Sequence, residues 1–311
     1  MIFRSKAVSR VAIAILILLA VLNGNSLAGD SLTVVISGNY RGRVLGCGCD
    51  AVNSGGLPRT ATAVKEKLNG TTRLPVAFDA GRFLDLDPDK GKVASRCTLL
   101  GMAKLGLVSA GVTPRDMFYG VPFLRQTAQS AKITLLSANM TDSSGNLLFE
   151  RWMTVKSKTD NGTELVIAVT SLAGYQEGER FTNAISAWRV TPTPDVMANL
   201  KATRPKADIT LLLTDMGERD LREYFEADDL FDIIASSSRQ LHTPAPFVMG
   251  KAVVASPSLD GRNLEGFRIG IENSGNGSVA KRSVWFTHIL AGRVDEDQDM
   301  LNYINNCQMG Q

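Results

Sequence analysis

The sequence predicts an α/β fold, and three observations carry that expectation. Short runs of β-branched and aliphatic residues recur along the chain, stretches with helical spacing stand between several of them, and the loops after the runs are rich in Gly, Asn, Asp and Ser. Strands alternating with helices build layered α/β domains, and in such domains the loops that follow the strands carry function.

The chain opens with Arg4, Lys6 and Arg10, then an apolar run from Val11 to Leu22, then the small-residue pattern Ser26-Leu27-Ala28. A charged, apolar, small-residue order is that of a secretory signal. The run falls short of the roughly 20 residues that span a bilayer. The expectation is a signal peptide over 1–28, a mature chain starting at Gly29, a periplasmic or extracellular location and no stable transmembrane anchor. With no Cys at the cleavage site, a lipoprotein is not expected.

Residues Leu32–Ile36 form the first strand-like run, followed by Leu74–Phe78, Ile133–Leu136, Leu165–Val169, Ile209–Leu213, Phe231–Ile234, Ala252–Ala255 and Phe267–Ile271. Each is short, β-branched or aliphatic, and bounded by turn residues, as a buried strand is. Helical spacing predicts helices over Arg59–Leu68, Thr98–Leu107, Val121–Ala131 and Asp195–Thr203. The polar segment Thr141–Gly162 reads as a surface excursion, with a hairpin as one form it can take. The roughly 280 residues after the signal suffice for one large core, and 29–311 is expected to be a single domain.

The chain carries 34 basic and 31 acidic residues, and three of the basic ones lie in the signal. No basic stripe with interleaved aromatics is present, which argues against nucleic acid as a partner. The partner classes left open are a small anion or a periplasmic protein.

Five segments, taken in order, then resemble a known family. They are Ser37-Gly-Asn-Tyr-Arg-Gly-Arg-Val44 followed by Gly55-Gly-Leu-Pro-Arg59; Phe78-Asp-Ala-Gly-Arg-Phe83; Val112-Thr-Pro-Arg-Asp-Met-Phe-Tyr-Gly120 running into Leu135-Leu-Ser-Ala-Asn139; Ala207–Gly217; and Asp232–Gln240. Gly261-Arg262 matches a late Gly-Arg pair. Together they resemble the catalytic domain of the periplasmic 5'-nucleotidases, which are calcineurin-like metallophosphoesterases. The resemblance spans roughly residues 32 to 290. It implies a four-layer α-β-β-α sandwich without the family's C-terminal nucleotide-recognition domain.

It also implies a site for two divalent metals about 3.5–4 Å apart that clamp a phosphate and activate a water. Here the ligand positions are degenerate. The first motif's Asp and His fall on Asn39 and Arg41, the bridging Asp on Arg82, and the Asn-His pair on Pro114 and Arg115. The fourth motif's His falls on Asp215, and the fifth motif's pair on Ser238 and Gln240. The chain has only two histidines, His242 and His288, too few for a histidine-rich binuclear centre, and His288 lies on a late apolar strand and reads as structural.

The resulting expectation is a catalytically inactive binding or accessory protein with no cofactor. Arg41, Arg82 and Arg115 then either form internal ion pairs with Asp79, Asp116 and Asp215 or hold an anion, since a guanidinium grips an oxyanion at two points. One alternative is a phosphoester hydrolase with a single metal on Asp79, Asp215 and His242. Another is a thiol-redox or soft-metal module at Cys47-Gly-Cys49. Four cysteines, Cys47, Cys49, Cys97 and Cys307, in an oxidising compartment first suggest two structural disulfides, with three pairings open.

Overall fold

The computed structural model describes residues 30–46, 54–67, 74–174, 188–241, 245–257, 259–273, 279–290 and 294–310. The signal-like segment 1–28, Cys47, Cys49 and His242 lie outside the described residues. The first half of the chain forms β1 (Ser31–Ser37), α1 (Leu57–Lys67), β2 (Val76–Asp79), α2 (Gly91–Lys104), β3 (Leu107–Gly111), a 3-10 turn (Pro114–Tyr119), α3 (Gly120–Ala131), β4 (Thr134–Leu136) and β5 (Met140–Asp142). There follow β6 (Trp152–Lys158), β7 (Glu164–Leu172), β8 (Trp188–Val190), α4 (Thr193–Ala202), β9 (Ile209–Thr214), α5 (Glu218–Phe225) and β10 (Ile233–Ser236). The last elements are β11 (Phe247–Met249), β12 (Ala252–Ala255), β13 (Asn263–Asn273), β14 (Val279–Ile289) and α6 (Gln298–Met309).

Successive side chains of a strand face opposite ways, and β1 shows what that builds. Leu32, Val34 and Ile36 enter a core shared with Leu165, Ile167, Val169, Leu211, Leu213 and Ile233, whereas Val35 enters a core shared with Leu57, Leu99, Met102 and Ile304. In β9, Leu211 and Leu213 face the first of these cores and Leu212 faces a third, with Leu221, Phe225 and Phe231. Strands buried on both faces read as continuous apolar runs. That is why these segments stand out in the sequence.

Three cores separate four layers. One sheet has the order β14-β13-β1-β2-β3-β4 and the other β11-β12-β10-β9-β7-β6. Helices α1, α2, α3 and α6 cover the first sheet, and α4 and α5 the second. The central strands of both sheets run parallel, β1-β2-β3-β4 in one and β7-β9-β10-β12 in the other. The architecture is the expected α-β-β-α sandwich. His288 falls in β14, opposite Leu264.

Two local readings need correction. The expected helix Thr98–Leu107 is Gly91–Lys104, and Leu107 instead opens β3. The chain reverses at Gly106, whose φ of 93° places a would-be Cβ 2.4 Å from the Pro75 carbonyl oxygen. Leu105 and Leu107 satisfy a helical period and a strand period alike, so periodicity alone does not find the break. The segment Thr141–Gly162 does contain a hairpin arm, but that arm is β6, paired antiparallel with β7. No helix among the described residues is long and apolar enough to cross a membrane.

Candidate functional site: an arginine cluster where the strand ends meet

The loops after β1, β2, β3, β9 and β10 all leave the C-terminal ends of parallel strands. In open α/β sheets ligands bind in this region. The β1 and β2 loops are zipped together by their backbones: Asn39 N donates to Gly81 O at 2.8 Å, Arg41 N to Arg82 O at 3.0 Å and Gly42 N to Phe83 O at 2.8 Å. A Cβ on Gly38 would lie 3.3 Å from Ala80 Cβ and 3.4 Å from Ser237 Cβ, so glycine lets the two sheets close here. Ser237 Oγ donates to Ala80 O at 2.8 Å and ties the second sheet to the same point.

Asp116 anchors the β3 loop. Its carboxylate accepts from the backbone N–H groups of Arg82, Phe83, Leu84 and Thr113 and from Thr113 Oγ1, at 2.7–3.2 Å. Burial pushes its pKa up and these donors oppose the shift. Asp79 accepts from Ser37 Oγ and Gly81 N, both at 2.8 Å, and burial pushes it up to about 7. These two carboxylates are therefore spent on loop backbone and hydroxyls. The expectation that they pair with the arginines is corrected: a buried carboxylate facing several such donors is already satisfied.

The arginines find other surroundings. Arg41 binds Asp260 through Nη2 at 2.8 Å and Nε at 3.2 Å. Asp260 sits directly before the Gly261-Arg262 pair; the motif pattern marks that pair and not the carboxylate. Arg82, 8% exposed, meets Asp215 at long range, with 3.9 Å between Nη1 and Oδ2. Asp215 itself accepts from Gly174 N at 2.7 Å. Arg115 Nη2 reaches Leu84 O at 3.5 Å. Burial holds Arg115 below the usual guanidinium range, and the charges of Arg82 and Arg41 push the same way against Asp116 and Asp85. Arg115 thus feels both of the other guanidiniums.

Two further features mark this place. The buried atoms Asn39 Oδ1, Arg82 Nε and Arg115 Nε have no hydrogen-bond partner. Unsatisfied buried polar atoms are uncommon and call for an explanation. Among the described residues, five non-glycine residues have positive φ, and four of them are Asn39, Arg41, Arg82 and Asp260. Left-handed backbone costs about 1–3 kcal/mol per residue and clusters at functional sites.

The remaining sequence-derived positions lie around the cluster. Pro114 opens the 3-10 turn that carries Arg115, within a capping box formed by Thr113 and Asp116. Ser238 and Gln240 follow β10, and Gln240 Oε1 lies 2.8 Å from where a Cβ of Gly217 would be. The hydrogen bonds of these two residues stay within their own loop, from Ser238 N to Ser236 Oγ and from Gln240 N to Ser238 Oγ.

Solved structures with the same layered arrangement include the 5'-nucleotidase precursor of Thermus thermophilus, with a TM-score of 0.69 and 13% identity over 90% of this chain and 59% of that one. The calcineurin-like phosphoesterase YfkN of Bacillus subtilis gives 0.68 and 17% over 91% and 98%. The fold is that of the 5'-nucleotidases and calcineurin-like phosphoesterases. The sulfate thiohydrolase SoxB of Thermus thermophilus shares it, at 0.65 and 13% over 92% and 61%. The chain spans about three fifths of the length of the first and third of these proteins. No family model matches the sequence, and no curated protein matches it.

Measured against that fold, the residues present do not fit a binuclear metal centre. Divalent cations in such sites take carboxylate, imidazole and amide donors. Here guanidiniums stand at three of the positions, Pro114 has no side-chain donor, and Asp79 is spent on Ser37 and Gly81. Among the described residues no group of three or more His, Cys, Asp or Glu is placed to hold a metal ion.

Cys97 on α2 and Cys307 on α6 form a disulfide with Cα atoms 5.9 Å apart. It pins the last helix to its neighbour in the helical layer over the first sheet. Of the three pairings left open, this one leaves Cys47 and Cys49 only each other within the chain.

Proposed function

We propose that this protein is an exported binding protein, residues 29–311 forming one domain, in which the phosphoesterase cleft holds an oxyanion between arginines and does not hydrolyse phosphoesters. The observation that carries the reading is the pair of unpartnered buried guanidinium atoms, Arg82 Nε and Arg115 Nε, at positions where the family resemblance puts the bridging carboxylate and the catalytic histidine. A buried charge without a close partner costs several kcal/mol. A bound oxyanion supplies the missing acceptors and the missing negative charge. Arg41, held by Asp260, shapes the pocket's rim and adds to its field.

Hydrolysis in this fold needs an activated water and a proton donor. Neither Arg82 nor Arg115 supplies them, because a guanidinium stays protonated. Export rests on the charged, apolar and small-residue order of residues 1–28. N-terminal sequencing of the exported protein is expected to begin within two residues of Gly29.

The test is a panel of nucleotides and simple phosphoesters with Mg, Mn, Zn or Ca supplied. The expected result is no metal-dependent turnover. Turnover that disappears in Asp215→Ala would instead make the protein a phosphoric ester hydrolase with a reduced metal site.

A further inference from the structure

We infer that the pocket selects a protonated phosphate group, hydrogen phosphate or a phosphate monoester, over sulfate. The inference rests on the oxyanion reading above and specifies its ligand.

The three unsatisfied atoms are not alike. Arg82 Nε and Arg115 Nε are donors and require acceptor oxygens. Asn39 Oδ1 is an acceptor, on a residue 1% exposed, and it requires a donor. Asn39 lies in the loop bonded to the one that carries Arg82, through Asn39 N to Gly81 O and Arg41 N to Arg82 O. Arg82 N in turn shares the Asp116 carboxylate with Thr113 N, just ahead of Arg115. A ligand that satisfies all three must offer both oxygen acceptors and an O–H on one compact group.

Sulfate offers acceptors alone, because it carries no proton near neutral pH. Inorganic phosphate keeps at least one P–OH throughout the neutral range, and a phosphate monoester keeps one below its second pKa of about 6. Facing Asn39 Oδ1, a P–OH donates, whereas a sulfate oxygen meets an acceptor with a second acceptor. Leaving a buried polar group unpaired is the larger cost in such choices. The backbone fits the assignment too. Asn39 has φ 61°, a conformation Asn tolerates better than most residues.

The experiment is titration calorimetry at low salt near pH 6, using inorganic phosphate, methyl phosphate and sulfate against wild type, Asn39→Gly and Asn39→Asp. Glycine accepts the positive φ and removes the acceptor; Asp keeps an acceptor and tolerates the same backbone. Wild type is expected to bind phosphate at least about tenfold tighter than sulfate, about 1.4 kcal/mol. In Asn39→Gly that ratio should fall toward one, and in Asn39→Asp it should persist. Binding of both phosphates assigns the class to monoesters, and binding of inorganic phosphate alone assigns it to the free ion; either result supports the inference. Sulfate binding as tightly as phosphate, with the ratio unchanged in Asn39→Gly, overturns the inference and leaves the oxyanion reading standing. Binding of none of the three anions overturns both.

Discussion

Arg82 Nη1 stands 3.9 Å from Asp215 Oδ2, too far for a hydrogen bond. The Arg41–Asp260 pair closes to 2.8 Å. The two arginines therefore differ in kind: Arg41 is neutralised in place, and Arg82 is buried with its charge largely unmet. This difference orders the expected effects of substitution.

Arg82→Ala is expected to leave the anion-free protein at least as stable as wild type, because a buried charge without a close partner is removed. A gain of about 1 kcal/mol would raise Tm by roughly 2–4 °C in a chain of this size. The same variant should show no thermal shift on adding phosphate. A Tm lowered by more than about 5 °C in anion-free buffer, over 1 kcal/mol on the same scale, would mean that Arg82 is a structural ion-pair partner.

Asp116 should behave in the opposite way. Its carboxylate satisfies four backbone N–H groups and one hydroxyl at full burial. Asp116→Ala leaves those donors buried without an acceptor, each at about 1–3 kcal/mol. Urea unfolding should show a loss of more than about 3 kcal/mol, and a loss below about 1 kcal/mol would show that the loop is held by other means.

Asp79 gives a pH dependence. Burial raises its pKa from 3.8 to about 7, with Ser37 and Gly81 opposing and the Asp116 charge adding. A carboxyl raised on folding binds its proton more tightly in the native state. Its contribution to stability is full below about pH 4 and is lost as pH rises to about 7. Asp79→Asn fixes the neutral form. The stability of the variant relative to wild type should therefore climb across that window, and a flat difference from about pH 4 to about pH 7 would contradict the assignment.

The Cys97–Cys307 bond closes a separation of 210 residues. Cys307→Ser is expected to cost about 2–4 kcal/mol and to leave anion binding unchanged, since α6 lies in the helical layer and contributes no residue to the arginine cluster. Mass mapping of unreduced peptides should find Cys97 joined to Cys307. A map joining Cys307 to Cys47 or Cys49 would contradict the pairing.

Much of the fold was legible because its central strands are buried on both faces. Leu32–Ile36, Ile209–Leu213 and Ala252–Ala255 have no polar face to hide them, so composition alone marks them. Edge strand β6 is partly exposed, with polar residues at alternate positions, and no apolar run announces it. The site positions were legible through motif order, which placed Asn39, Arg41, Arg82 and Arg115 on loops that do meet. Their partners were not. Asp260 comes from a loop more than two hundred residues away, and only the closed sandwich brings it to Arg41. Nor does sequence show that Asp79 and Asp116 are spent on loop backbone, because hydrogen-bond direction belongs to the folded loop.

The most direct test of an arginine-built oxyanion pocket is a calorimetric titration of inorganic phosphate into purified protein at low salt, run beside Arg82→Ala and Arg115→Ala. A single saturable site in wild type, lost in both variants, is the result predicted. The account is contradicted if wild type gives no binding heat, or if both variants bind phosphate as wild type does.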